Sequence, residues 1–467
     1  MDNNSSSIAT DPARLNANGY YVPGGGAKDT SFQNLFLKLR PKLVVNDNIY
    51  IKSEWWLGNP IFGLFGNSLP YTVDQKQFYS SQSAGSTITA QRFWGEFVTD
   101  LGTFQVGRVP LHWGLGIVWS SGDNFWDRYI STGDAVRWIA KFGAFSFIPS
   151  FIVNSSGNTI GGSCVVIGQT CVNGLGVGGV TDYSLILKYE NLEEDLEGGI
   201  NIIRRIGGSG QDPASGVLVP QNGFLAQQAG VMNFNTYSLY ARKKFTRFIL
   251  AAEVPIITGQ LGNSSYQTFG FASEATWKTT DSVEMLLKAG YASGQPNSGG
   301  GTIDTFRTFY FNPNYKIAMI LFNYQLSNFA GPQNLNNPNL SQSQLKSPYD
   351  NPIVNAMYLS VGSHIKPWEK WSLNPVLTYA RAHQVASSSQ YFYNYSTRST
   401  GLAVQNQGSE LGWEFDLGIT FQWDEYFQFT LDNGIFFPGN FYAFSNSSIT
   451  NATNPVFASS VRIGVNF

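Results

Sequence analysis

Ser409-Glu-Leu-Gly-Trp-Glu-Phe-Asp-Leu-Gly-Ile-Thr-Phe-Gln-Trp423 alternates apolar and polar side chains with a period of two. Trp413, Phe415, Leu417, Ile419, Phe421 and Trp423 fall on one face of an extended chain, and Glu414, Asp416, Gly418, Thr420 and Gln422 on the other. Successive side chains of a strand point to opposite faces, so the pattern predicts a strand with one apolar and one wet side. The reading repeats elsewhere. In 181–190, Tyr183, Leu185, Leu187 and Tyr189 oppose Asp182, Ser184, Lys188 and Glu190. In 34–45, Leu35, Leu37, Leu39, Leu43 and Val45 oppose Asn34, Lys38, Arg40 and Lys42. A soluble β-sandwich alternates too, but it carries charges outward and has few aromatics at its strand ends. Here Trp, Tyr and Phe recur near the ends of the apolar rows, as the interfacial girdles of a membrane barrel would.

Composition narrows the field in the same direction. The 467 residues are 42% apolar and 15% aromatic but only 13% charged, against roughly a quarter charged in soluble domains. Aromatics at this density exclude a disordered chain. No apolar run approaches the roughly 18 residues of a membrane-spanning helix. A net charge of −2 excludes a general nucleic-acid binder, which needs a basic surface. The fold class expected is all-β, a transmembrane up-and-down antiparallel β-barrel whose wet face lines a lumen.

Strands are expected at 31–45, 48–57, 88–100, 103–113, 134–143, 145–154, 181–192, 196–207, 232–245, 247–258, 266–279, 282–294, 353–365, 369–384, 409–423, 427–440 and 455–467. Short turns such as Asn46-Asp47 and Asp424-Glu425 alternate with long Gly/Ser/Asn segments such as 58–87, 114–133, 155–180, 208–231 and 295–352. Outer-membrane barrels have short periplasmic turns and long outer loops, and an even number of strands. The first strand read here is followed by a short turn, so it runs downward, and an upward strand must precede it. About 18 strands are therefore predicted, 17 of them read and the first absent or cryptic. Residues 1–30 then read as an outer loop or disordered N-terminal segment, and 31–467 as a single barrel domain. A further hairpin, 304–313 with 316–325, would give 20.

Met1-Asp-Asn-Asn-Ser-Ser-Ser shows neither a charged nor an apolar signal region. Either the protein is not exported or the sequence starts after a removed signal. The other end, Val461-Arg-Ile-Gly-Val-Asn-Phe467, resembles the C-terminal strand by which bacterial barrel-assembly machinery recognises its clients. The resemblance implies that Phe467 meets that machinery and that the protein sits in a Gram-negative outer membrane, against lipid and lipopolysaccharide. Cys164 and Cys171, with six residues between them, would close a small disulfide loop in an oxidising compartment or else be two separate thiols. Their spacing is poor for zinc, and neither metal nor cofactor is expected.

Two further segments resemble a known family. The hairpin from Glu410 to Phe441, ending Phe-Phe-Pro-Gly-Asn-Phe441, resembles the penultimate hairpin of the alginate-export type of outer-membrane barrel. Phe104-Gln-Val-Gly107-Arg108 resembles that family's Gly-Arg strand near its pore. The longer Gly107-Arg-Val-Pro110-Leu-His112-Trp113-Gly-Leu-Gly116 is similar to a signature of uncharacterised porin-like barrels. The family implies a monomeric eighteen-strand pore, cationic inside, for a polyanionic polysaccharide. This chain departs from it in an inward face of mixed charge.

Taking the polar row of each strand as the lumen gives Lys38, Arg40, Lys52, Glu54, Arg92, Glu96, Arg137, Lys141, Lys188, Arg205, Arg242, Glu274, Lys288, Glu414, Asp416 and Arg462 as pore-lining. Cross-strand pairs are expected between Lys52 and Glu96 or Arg92 and Glu54, and between Glu284 and Lys278. Charges facing a lumen select ions by sign, and the basic excess predicts a weak anion preference. Between the strands, Arg108, His112, Trp113, Asp123, Trp126, Asp127 and Arg128 form the densest polar-aromatic cluster. It reads either as ligand contacts, with tryptophans stacking on sugar rings, or as a segment packed on the inner wall. A hydrolase pairing His112 or His383 with Asp123 or Asp127 finds no fixed spacing, and no enzyme is expected. The function expected is a channel for small solutes or for export of a polysaccharide. A scaffold barrel whose outer loops bind a surface partner, or a motility or secretion assembly, is the alternative. A monomer is expected, an oligomer or larger assembly being the alternative.

Overall fold

The computed structural model describes residues 2–7, 29–34, 37–57, 88–155, 179–207, 232–261, 264–295, 305–323, 352–394, 399–446, 450–451 and 453–466. Cys164, Cys171 and Phe467 lie outside them, as do most of the long connections. The strands are β1 (Asp2–Ser7), β2 (Asp29–Asn34), β3 (Leu37–Leu39), β4 (Lys42–Asn46), β5 (Ile49–Leu57), β6 (Ile88–Thr99), β7 (Gly102–Pro110), β8 (Thr132–Phe142) and β9 (Phe145–Ser155). They continue as β10 (Val180–Asn191), β11 (Leu196–Gly207), β12 (Met232–Lys244), β13 (Phe248–Leu261), β14 (Ser264–Lys278), β15 (Val283–Ala292) and β16 (Thr305–Phe306). Last come β17 (Ala356–Trp368), β18 (Trp371–Ala382), β19 (Tyr391–Asn394), β20 (Ser399–Leu402), β21 (Glu410–Gln422), β22 (Phe427–Pro438) and β23 (Val456–Val465), with one short helix, α1 (Asn440–Ala443).

From β5 onward the main sheet is antiparallel between successive long strands, β15 pairing with β17 and β18 with β21, while β19 and β20 form a separate hairpin. β12 meets β13 from Met232↔Leu261 to Lys244↔Ile249, and β21 meets β22 from Gly412↔Pro438 to Gln422↔Gln428. The short connections 143–144, 245–247 and 423–426 fall at one end of the sheet and the long ones at the other, where 262–263, between β13 and β14, is the short exception. β1 pairs with β2 on one side and β23 on the other, so the first and last strands are neighbours. β2, β3 and β4 follow one another along a single strand path, and β16 is a two-residue parallel addition to β14. Read so, the sheet has about eighteen up-and-down strands. The missing upward strand is β1, six residues within the segment read from sequence as outer loop. Among the described residues 305–323, the extra hairpin does not form. Beyond β16 the chain makes one bridge, Tyr310 to Val354, and a series of turns instead.

The two faces are inverted relative to a soluble protein. Along β21, Trp413 and Phe415 are 47% and 46% exposed while Glu414 and Asp416, between them, are 0% and 7%. Asp182, Asn201, Ser238, Glu253 and Thr378 are likewise buried on strands whose opposite rows expose Tyr183, Leu239, Ile256 and Leu377. Water-soluble folds seldom bury acids while exposing rows of large apolar residues, whereas a sheet with lipid outside and polar groups inside has no alternative. Aromatic contacts on the exposed face gather toward both strand ends. Phe145–Tyr189, Phe248–Trp277 and Trp371–Phe421 lie near the short turns, with centroids 5.0, 5.6 and 4.7 Å apart. Tyr379–Trp413, at 4.5 Å, and Phe269–Tyr291, at 4.7 Å, lie near the long connections.

Candidate functional site

Two segments between strands fold against the polar face. The first runs from Leu111 to Ser131. Its Trp113 indole N–H donates to the Ser238 carbonyl at 3.1 Å, and the backbone N–H groups of Leu115 and Ile117 donate to Glu253 Oε2 at 2.8 and 3.4 Å. The Ser238 hydroxyl donates to the other oxygen, Oε1, at 2.9 Å. Gly114 makes this approach geometrically open. Its φ is +55°, and a Cβ there would lie 2.7 Å from Glu253 Oε2. Carboxylates bond backbone N–H groups strongly because they accept with a full charge.

The second segment, 305–323, is held in the same manner from the other side. Ile320 and Leu321 N–H donate to the two oxygens of Glu414 at 2.5 and 2.6 Å, and Met319 N–H to Asp416 Oδ2 at 3.0 Å. Thr378 and Ser360 donate to the Ile317 carbonyl. Asn314 then joins the two segments: its amide accepts from Tyr129 N–H at 3.1 Å and donates to the Tyr129 carbonyl at 2.6 Å. Asn312 N–H donates to the Ile117 carbonyl at 2.8 Å. Around this junction Ile117, Phe311, Ile320 and Phe322 pack with Leu411, Phe436 and Phe441 in an apolar cluster enclosed by the sheet.

Beside the junction lies a cavity of about 400 Å³, bordered by both segments and by strands β18 and β21–β23. Trp126, Asp127 and Arg128 reach it from the first segment and Lys316 from the second; Asp416, Asp432 and Arg462 come from the wall. Arg462 pairs with Asp432 and lies 4.7 Å from the Trp126 ring centroid. Asp127 accepts the Asn124 N–H at 3.1 Å. Burial raises its carboxyl above the usual range, against the smaller lowering influences of Asn124 and Lys38.

A second cluster ties the first segment to the early strands. Glu54, 1% exposed, accepts from Arg92 at 2.5 Å, Arg40 at 2.6 Å and the Trp56 indole at 2.7 Å. Arg92 also reaches Asp123, at 2.6 Å. Burial by itself pushes Asp123 up, but hydrogen bonds from Ser121 and Arg92 and the charges of Arg92 and Arg40 outweigh it, leaving the carboxyl below its usual range. Lys38 Nζ donates to the Asp127 carbonyl at 2.5 Å.

The other charges expected along the wet row are distributed as follows. Both anticipated pairs at the start of the chain form, Lys52–Glu96 at 2.7 Å as well as Arg92–Glu54. Lys188 bonds Glu197 at 2.7 Å, Arg205 bonds Asp182 at 2.7 Å, and Lys288 bonds Glu274 at 2.9 Å. Arg137 donates to Gln105 and to the Pro110 carbonyl. Lys141, near the end of β8, is exposed, and Arg242 stands opposite Glu197 in the ladder. Lys278 pairs with Asp281 at 3.2 Å, not with Glu284.

The structure does not bring the whole 108–128 cluster together. Arg108 belongs to the opposite face: Val109 is buried, so its neighbour turns outward, where it forms two hydrogen bonds with Asp134 at 2.7 and 3.0 Å. Trp113 is 4% exposed and packs edge-on against Tyr240, so it anchors the segment and presents no ring face. His112 is exposed and approached at Nδ1 by the Ser121 N–H. His383 cannot serve as its stand-in, because Gly294 N–H bonds Nδ1 at 3.1 Å and the Tyr291 hydroxyl meets Nε2 at 2.9 Å. Trp126, Asp127 and Arg128 border the cavity at the junction, while Asp123 joins the Arg92 and Glu54 cluster. Segment 305–323 reads from sequence as part of the long connection 295–352 or as a further hairpin; Lys316-Ile-Ala-Met-Ile-Leu-Phe322 is an apolar run without period-two alternation, the mark of a buried non-strand segment.

No protein family matches the chain, and no curated protein matches its sequence. Solved structures do. OccK9 (OpdG) of Pseudomonas aeruginosa superposes with a TM-score of 0.50 at 8% identity, over 99% of this chain and 95% of its own. OccK11 (OpdR) of the same organism gives 0.47 at 6% over 99% and 93%. The anion-selective porin of Comamonas acidovorans gives 0.39 at 10% over 100% and 97%. The first of these, with the inverted faces and the eighteen-strand path, shows the fold of an integral outer-membrane β-barrel.

Proposed function

We propose that the protein is a passive diffusion channel for small solutes, narrowed by segments 111–131 and 305–323 and weakly selective for anions. The observation that carries this reading is the cavity beside their junction, where charged side chains from both segments and the wall meet beside apolar ones such as Ile317, Met319 and Val376. A volume of about 400 Å³ lies toward the small end of ligand-sized cavities, roughly 300–1,000 Å³. It suits a small solute better than an extended polymer, so the alginate-export resemblance argues for architecture more than for cargo. Three basic and three acidic side chains border the cavity, and burial raises the Asp127 carboxyl above its usual range, so that acid is the one whose charge is lost first as pH falls. Arg40, Lys52, Arg92, Arg137, Lys141, Arg205 and Arg242, with their acidic partners, are read as the remaining lumen wall. The same reading has a single barrel domain, extended from the expected 31–467 to take in β1, a monomer, assembly through Phe467, and no catalytic role.

The test is single-channel recording of the purified barrel in a planar bilayer under a salt gradient. A steady open level is expected, with a reversal potential of mild anion preference that moves toward cations in Arg128→Glu. Lowering the pH should strengthen the anion preference. Because the Asp127 pKa is raised, its negative charge is lost at a higher pH than the usual aspartate value of about 3.9. A folded, inserted barrel that stays silent would refute the channel and favour the scaffold, whose lumen the two segments would then block.

A further inference from the structure

On the outward face, near the end with the long connections, the wall carries a notch. β15 stops at Ala292, pairing with β14 only over Gly270–Lys278, and β16 takes up the ladder higher along β14, with Ser265↔Thr305 and Tyr266↔Phe306. The hollow left there has a volume of about 520 Å³. Its membrane-facing floor is Ile256 and Phe269, 41% and 45% exposed, with Tyr291 stacked on Phe269 at 4.7 Å. Its upper border is polar, made by Arg307, His383 and Gln384.

This border is fixed in place. The Arg307 N–H donates to Gln295 Oε1 at 2.9 Å, and its carbonyl accepts from Thr268 at 3.0 Å. The Gln384 N–H donates to Asn355 at 2.8 Å. His383 has both nitrogens engaged, by Gly294 and Tyr291, and burial lowers its pKa, so the neutral ring braces the wall. Arg307 is exposed, and none of the described residues supplies an acid to pair with it. Apolar and aromatic below, cationic and amide-bearing above, the hollow has the amphipathic order of a lipid at the membrane interface.

We propose that this notch binds one phosphorylated, acylated glycolipid of the outer leaflet, with acyl chains on Ile256, Phe269 and Tyr291 and a phosphate on Arg307. Guanidinium is well matched to phosphate, donating two parallel hydrogen bonds. The inference is independent of what crosses the lumen.

The test is native mass spectrometry of the full chain in detergent, titrated with lipid A. One lipid per barrel is expected to survive on the wild type. Arg307→Gln should weaken that binding about ten-fold, the loss of one charge-assisted contact. Arg307→Lys should keep most of it, and Arg247→Gln, in a turn at the opposite end, should keep all. Equal retention by wild type and Arg307→Gln would overturn the site, as would equal weakening by Arg247→Gln. Displacement of the lipid by millimolar inorganic phosphate would also overturn it, by showing a plain anion site.

Discussion

Arg92 reaches two carboxylates with one nitrogen, lying 2.5 Å from Glu54 and 2.6 Å from Asp123 while itself only 3% exposed. Removing one partner of a buried pair leaves the other charge desolvated, at about 3–5 kcal/mol. Arg40 still contacts Glu54, so Arg92→Met is expected at the lower end of that range. The measure is the urea midpoint in detergent micelles, and an unchanged midpoint would count against the cluster's role. Such pairs were legible in sequence because β5 and β6 lie in register across one ladder, Glu54 opposite Arg92. Arg108 was legible too, by a signal passed over. It shares parity with Phe104 and Val106, which already puts it on the apolar row. Trp113 was not legible, since its partner, Ser238, is 125 residues away.

The inward segments show how an element without regular structure is kept in place. Each is gripped through backbone N–H groups by buried acids on the wall, Glu253 for one and Glu414 with Asp416 for the other. Glu414→Ala would leave two buried N–H groups unpaired, each costing about 1–3 kcal/mol. Segment 305–323 should loosen. The expected readout is a noisier and altered unitary conductance with the barrel still folded, whereas a conductance trace identical to wild type would show that the grip does not shape the lumen. Sequence reading found the strands because their rule is local, two residues long. It left the segments open because their fold is set by acids on strands more than ninety residues distant.

At the scale of the whole molecule, the inverted faces fix the solvent on each side of the wall. Phe415, outward on β21, should tolerate Leu. Phe415→Lys should cost up to about 2–4 kcal/mol, the amount depending on its depth in the bilayer. Folding yields in liposomes across a urea series would check it, and equal yields for the two variants would refute a lipid-facing position. The count of strands was the least legible global feature. β1 reads Asp-Asn-Asn-Ser-Ser-Ser, with no alternation to detect, and only the directions of the later strands demanded it. A wider consequence follows from the grip of Glu253 and Glu414. Peptide groups are common to every amino acid except proline at the donor, so an attachment made through N–H groups restricts side chains only where the wall comes close, as at Gly114. Substitutions at Trp126 or Arg128 therefore leave those peptide contacts untouched, and the face that the segments turn to the cavity can vary while their attachment to the wall is inherited.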